Sequence, residues 1–181
     1  QKQAFRELIV KQGCEMAING GFYDTDSRPL GLVVSEDRLL TDVRPNQLFN
    51  GYVYIDDSGH PGVSRLIDLK VLREAVQTGP MLVENGKALS LSMKNDGSSR
   101  RSVAVMTDDD QLLFGMFYDP ASPLDGPKLS ELPELVLSQA KKMDVGIVSA
   151  INLDGGSASA FYDGGFAVSE WAPVGSVWCL R

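Results

Sequence analysis

An α+β fold, with a predominantly antiparallel or mixed β-sheet core and a few helices packed outside it, is what this sequence predicts. Three observations lead there. Short apolar runs recur with turn residues between them, and few stretches carry apolar residues at helical spacing. The long strand-helix alternation that builds parallel sheets is missing.

Taken in order, Phe5, Leu8 and Ile9 recur at helical spacing, and Gly13 stops that helix as a C-terminal glycine does. Gln1 falls inside this helix-like stretch, so the expectation is a longer chain with an upstream segment that could have held a signal peptide. Met16-Ala17-Ile18 is a short strand. Leu32-Val33-Val34 and Leu39-Leu40 flank a polar turn, as hairpin strands do, and Tyr52 to Ile55 leads into the turn Asp57-Ser58-Gly59. Val71 to Gln77 has room for about two helical turns, with Leu72, Ala75 and Val76 on one side. Met81-Leu82-Val83, Asn85-Gly86 and Ala88-Leu89 give the strongest hairpin signal, because Asn-Gly suits a type I′ turn. Val103 to Met106 and Leu112 to Phe114 flank Asp108-Asp109-Asp110 in the same manner, and those acids read as a solvated turn rather than a metal site. The segment from Asp119 to Pro127, rich in Pro and Gly, is either a rim over a cleft or an ordinary exposed connection. Ser130 then caps a helix with Leu132, Leu135, Val136, Gln139, Ala140 and Met143 on one face and Pro133 in its first turn. Ile147 to Ile151 closes the series as a buried strand.

The 181 residues, 43% of them hydrophobic, suffice for one good core, and neither an internal repeat nor a linker divides the chain, so residues 1–181 form a single domain. No stretch reaches the ~18 uninterrupted apolar residues of a membrane span. A net charge of -7 argues against nucleic acid or an anionic membrane as partner, since those surfaces attract clustered Lys and Arg. Cys14 and Cys179 lie near opposite ends, each beside an apolar strand-like run. They are either a disulfide, which would stabilise by roughly 4 kcal/mol in the chain-entropy picture, or two buried thiols.

Function is most legible in Asn152-Leu153-Asp154-Gly155-Gly156-Ser157-Ala158-Ser159. An apolar strand stops there on a carboxylate, and the next two positions carry no side chain. Glycine pairs allow positive φ and leave N–H groups uncovered, and Ser157 and Ser159 point to one side if the chain resumes as a strand. Turn chemistry alone gives a tight connection between strands. A second pair, Asn19-Gly20-Gly21, follows Met16-Ala17-Ile18 in the same manner. Two such strand ends bring bare backbone and two oriented polar side chains to one rim, which is how a small-ligand cleft is made.

These residues resemble the phosphodiester glycosidase domain family. Ala17-Ile18-Asn19-Gly20-Gly21-Phe22-Tyr23 with Leu30 to Arg38 is similar to the family's opening motif, Arg101-Ser102-Val103-Ala104-Val105 to its Arg-Thr-Ala segment, and Ala150 to Ser157 to its central motif. Order and spacing agree over most of the chain. One departure is Ser157, where members often carry a third glycine, so the family's serine role falls to either Ser157 or Ser159. The resemblance implies an α+β domain, a periplasmic or secreted location, and hydrolysis of the glycosidic C–O bond of a sugar-1-phosphodiester. Such a reaction builds positive charge on the sugar and expels a phosphate monoester, which leaves more readily than an alcohol. It needs a carboxylate near the oxocarbenium ion, donors around the phosphate and firm sugar placement. Asp154 suits the first task. Arg101, with backbone N–H groups beside Gly20, Gly21, Gly155 and Gly156, suits the second. Asn19, Thr78, Asn152, Ser157 and Ser159 are the groups to orient sugar hydroxyls, an acetamido group or water. A second carboxylate is not assignable.

Other chemistries fare worse. A Ser-His-Asp hydrolase needs a histidine, and His60, the only one, sits in the turn composition Asp57 to Gly62. Zinc ligands are too few. Asp154, Asn152, Asp163 and Asp24 have oxygens for calcium but no recognisable ligand loop, and no Lys follows either glycine pair as in a phosphate-binding loop, so neither metal nor cofactor is expected. The rival reading is a noncatalytic carbohydrate or cell-envelope glycan binding protein with the same cleft, for which Phe22, Tyr23, Phe161 and Tyr162 are the available aromatic platforms.

Overall fold

The computed structural model describes residues 3–181. Its architecture is mainly β: three antiparallel sheets with two α-helices packed against them. Helix α1 (Phe5–Gln12) turns Phe5 and Ile9 inward and ends at Gly13, whose φ of 67° is the left-handed cap read from the sequence. The expectation placed on Gln1 lies outside the described residues.

The first sheet joins β1 (Met16–Asn19) to strands from the far end of the chain. The second sheet consists of β2 (Val33–Ser35), β3 (Arg38–Thr41), β4 (Gly51–Asp56), β5 (Pro61–Ser64) and β6 (Leu72–Thr78), in the order β3-β2-β6-β4-β5. β7 (Met81–Glu84), β8 (Lys87–Ala88), β9 (Arg101–Thr107), β10 (Leu112–Phe117) and, after helix α2 (Leu132–Lys142), β11 (Ile147–Asn152) make the third sheet, ordered β10-β9-β11-β7-β8. The chain then returns through β12 (Phe161–Tyr162), β13 (Ala167–Val168) and β14 (Val177–Leu180), which complete the first sheet as β13-β12-β1-β14.

The two five-stranded sheets face each other across the main core, where Val53, Val63 and Val76 meet Met81, Ala104 and Ile151, with Ile18 of β1 closing one end. Leu132 and Val136 of α2 cover the other face of the third sheet against Leu82, Val83, Val103 and Ala150. Phe5 and Ile9 of α1 pack on Ala17 and Ala160. The Cys14 and Cys179 pair is a disulfide, made possible because Ala17 pairs with Cys179 across β1 and β14. Among the described residues no helix is long and apolar enough to cross a membrane.

The hairpins fall where turn chemistry puts them. Asn85 and Gly86 both take positive φ, 50° and 71°, as a type I′ turn requires, and Asp108 to Asp110 make the turn between β9 and β10. His60 lies exposed in the β4–β5 turn, its N–H donating to the Asp56 carboxylate.

Two readings need correction. Val71 to Gln77 is not helical: its core is β6, a central strand between β2 and β4. Leu, Arg, Glu and Ala favour a helix locally, but two isolated turns are marginal, and pairing on both edges buries Val76 in the main core and Ala75 on the opposite face. Ser130 does not cap α2, whose N-terminal flanking residue is Glu131 with no side-chain cap. The N–H groups of Leu129 and Ser130 are met instead by the carboxylate of Asp96, each at 2.8 Å. A residue thirty-odd positions away thus anchors the turn that leads into α2.

Candidate active site

The ends of β1, β9 and β11 converge, and the site is assembled from the chain that leaves them. Asn19, the last residue of β1, is only 1% exposed. Its side-chain oxygen accepts hydrogen bonds from Ser102 Oγ at 2.7 Å and the Ala160 N–H at 3.0 Å, while its Nδ2 donates to the Asp154 carbonyl. Asn19 therefore ties β1 to β9 and to the segment after β11, with its amide capacity directed into the scaffold.

Gly20 continues the tie. Its carbonyl accepts from the Asp154 N–H at 3.0 Å, and its own N–H donates to the Ser176 carbonyl. A Cβ here would fall 2.3 Å from Ser176 Oγ, and one at Gly21 would fall 2.5 Å from a Val76 methyl carbon. Close approach, rather than positive φ, calls for glycine at these two positions. The two motifs thus meet through the bonds of Asn19 and Gly20 to Asp154, as their matched strand ends predicted. The N–H groups of Gly20 and Gly156 are not uncovered, however: each donates to a backbone carbonyl, because antiparallel neighbours lie within reach of both turns.

Asp154 is held from both sides by those backbone bonds, and the residue is partly exposed. Gly155 passes beside Arg101: a Cβ on it would lie 3.6 Å from Arg101 Nη1. Gly156 takes φ 64°, where glycine is favoured, and opens a 3-10 turn over Gly156–Ala158. The chain does not resume as a strand at this point. Ser157 and Ser159 consequently part company: Ser157 is exposed, while Ser159 is buried with its hydroxyl donating to the Arg100 carbonyl.

Arg101 opens β9 with a largely buried side chain. Its Nε donates to the Pro127 carbonyl at 3.2 Å, its Nη2 donates to the Gly97 carbonyl at 2.9 Å, and Asp96 stands 3.8 Å away. Burial pulls the guanidinium below its ordinary value and Asp96 opposes that pull. Burial by itself would raise the Asp96 carboxyl, but hydrogen bonds from Ser130 and Leu129 and the Arg101 charge carry it below the usual carboxylate range.

The remaining predicted residues lie deeper. Thr78 is fully buried and donates to the Asn152 carbonyl at 2.9 Å. Asn152 donates to the carbonyls of Gly79 and Leu153. Both sit behind the site, at the junction of β6, β7 and β11.

Sequence reasoning passed over Arg100, the neighbour of Arg101 and 1% exposed. Two consecutive arginines before an apolar strand send one side chain to each face, and only that alternation signalled that one would be buried. Part of the loop from Asp119 to Pro127 borders an open hollow of about 510 Å³, lined by Ser98, Tyr118, Asp119, Asp125, Gly126 and Pro127. Pro127, in that lining, is the residue whose carbonyl holds Arg101 Nε. A larger groove of about 740 Å³ runs past Tyr23, Arg73 and Trp178, and neither hollow is lined by a predicted site residue. Three of the four aromatic candidates are engaged in packing: Phe22 stacks on Phe49 at 4.5 Å, Phe161 packs on the main core, and Tyr162 packs beneath α1, while Tyr23 lines the larger groove. Of the oxygens considered for calcium, Asp24 and Asp163 accept N–H bonds within their own turns.

Comparison with known proteins bears on the fold and on the family. The chain is similar in fold to the zebrafish N-acetylglucosamine-1-phosphodiester alpha-N-acetylglucosaminidase catalytic domain, solved auto-inhibited by its pro-peptide. That match has a TM-score of 0.76 and 19% identity, and covers all of this chain and 67% of that one. It is also similar to a hypothetical protein from Synechocystis, with a TM-score of 0.63 and 16% identity, over 98% of this chain and 53% of the other. A 90-residue stretch is 36% identical to the uncharacterized protein YigE of Escherichia coli K12, covering 43% of this chain and about a third, 35%, of that relative. The phosphodiester glycosidase family model matches residues 12–180, which supports a glycosidase-type function and a glycan-type substrate. With that match over nearly its whole length, and both glycine-pair motifs meeting at one site, this chain belongs to the phosphodiester glycosidase family.

Proposed function

We propose that this chain is a hydrolase that cleaves the glycosidic C–O bond of a sugar-1-phosphodiester. The observation that carries the reading is the Arg101 guanidinium set against Gly155, one residue from Asp154. A carboxylate on the turn and a cation beside it match the two charges that develop as the bond breaks, positive on the sugar and negative on the departing phosphate. Asp154 acts as stabiliser, nucleophile or base toward the anomeric carbon, and its doubly tied backbone gives the carboxylate a preset direction. Arg101 receives the phosphate. Gly20, Gly21, Gly155 and Gly156 let the backbone come close, and Ser157 offers an exposed hydroxyl. Asn19, Thr78, Asn152 and Ser159 act from behind, by holding the strand ends that carry Asp154. An acetamido oxygen on the sugar can stand in for a second carboxylate. A periplasmic or secreted location goes with the reading, because a disulfide persists where the surroundings oxidise thiols.

Incubation with a chromogenic sugar-1-phosphodiester tests the proposal. Turnover by the intact chain, lost in Asp154→Asn, is the expected result. Saturable binding of the same compound without turnover would overturn it in favour of a noncatalytic glycan-binding protein.

A further inference from the structure

Arg100 connects the glycine turn to a second segment of the chain. Its Nε donates to the Gly156 carbonyl at 2.9 Å, and its own carbonyl accepts from the Gly156 N–H, also at 2.9 Å. That carbonyl further accepts from Ser159 Oγ. On the opposite side the Arg100 N–H donates to the Leu124 carbonyl at 3.2 Å, and Nη1 donates to the Pro123 carbonyl at 3.4 Å. Gly126 packs so closely that a Cβ on it would lie 2.9 Å from Arg100 Cα. One residue thus grips the glycine turn with one set of atoms and the 122–127 loop with another.

The arrangement is costly for stability alone. Nη2 is buried with no hydrogen-bond partner among the described residues. Burial lowers the guanidinium's hold on its proton, and Glu170 supplies an opposing charge. A fold needing only packing here would do as well or better with an apolar side chain, because replacing a buried charge by a matched apolar group is often neutral or stabilising. The geometry explains the charge. Asp154 is pinned to Gly20 through its N–H and Gly156 is pinned to Arg100, which leaves Gly155 between two fixed points and opposite Arg101.

We propose that Arg100 is a positioning residue, whose buried guanidinium locks the Gly155-Gly156 turn to the 122–127 loop and so sets Asp154 against Arg101. The kinetic part of this inference rests on the functional reading above, while the structural part does not. Two variants separate them. Arg100→Met keeps the length of the stem without the donors, and Arg100→Lys keeps the charge without the fork. In both, amide hydrogen exchange across residues 154–160 and 122–127 is expected to quicken at least tenfold, with the rest of the chain within about twofold of wild type. On a sugar-1-phosphodiester, kcat is expected to fall at least tenfold with KM within about threefold. Should Arg100→Met not fold, Arg100→Lys carries both measurements. Exchange unchanged in the two segments, or raised evenly along the chain, would overturn the proposal, as would normal kcat in a variant whose segments exchange faster. If wild type turns over no such substrate, the functional reading fails and the exchange pattern alone decides the role of Arg100.

Discussion

The two glycine-pair turns look alike in sequence and differ in how they are held. Asn19-Gly20-Gly21 lies inside the protein: the Asn19 amide has three scaffold partners, and its glycines are small because Ser176 and Val76 press on them. Asp154-Gly155-Gly156 lies partly open, carries the positive φ and faces Arg101. The difference teaches that one turn is a clamp and the other is what it clamps. An amide suits the clamp because it both donates and accepts, and a carboxylate suits the open turn because it carries charge.

The comparison breaks most visibly at Asp154. Asp154→Asn keeps the shape and removes the charge, so kcat on a sugar-1-phosphodiester should drop by roughly 10²–10³-fold, about 3–4 kcal/mol, the scale of one preorganised electrostatic group. The thermal midpoint should stay nearly constant. A shift of the midpoint with normal kcat would make Asp154 a structural residue, and the two turns equivalent.

Asn19→Ala should show the opposite pattern. Three hydrogen bonds are lost in a buried place, and at about 1 kcal/mol each the variant should be destabilised by about 3 kcal/mol in a denaturant titration. A stable Asn19→Ala variant with reduced kcat would move the first turn into the chemistry. Arg101→Ala sharpens the contrast from the ligand's side: inhibition by inorganic phosphate should weaken by about 1.5–3 kcal/mol, the range for hydrogen bonds to a charged group. Unchanged inhibition would remove Arg101 from the phosphate site.

The smallest effect concerns the support behind Arg101. The Asp96 carboxyl is held below its ordinary 3.8 in the folded protein. The group therefore contributes stability that is fully present above the unfolded value and is lost as pH falls through the lower, folded value. Acid unfolding curves of Asp96→Asn should be flatter than wild type below about pH 4, the unperturbed carboxylate range, and parallel to it near neutrality. Identical curves would show that Asp96 does not stabilise through its charge.

Local rules carried most of the reading. Helical spacing with Gly13, the Asn85-Gly86 hairpin and the apolar run into Asp154 are each decided by residues a few positions apart, and all were legible. So was the meeting of the two glycine motifs, because strands that end alike point to one rim. Sequence reasoning failed where distant partners outweighed local preference. Leu72 to Thr78 became a central strand because edges on both sides offered hydrogen bonds that two helical turns could not match. Asp96 anchored the turn before α2 while the helix start stayed without a side-chain cap, and Gly156–Ala158 curled, sending Ser157 outward and Ser159 inward. By itself, then, the sequence determined which residues carry charge, which backbone is bare, and that Cys14 and Cys179 could meet. Only the tertiary structure decided that they do meet, and which polar groups face the site rather than the scaffold. The physical reason is that a buried polar group takes its partner from whatever segment folding brings beside it, and that partner is rarely a neighbour in the chain.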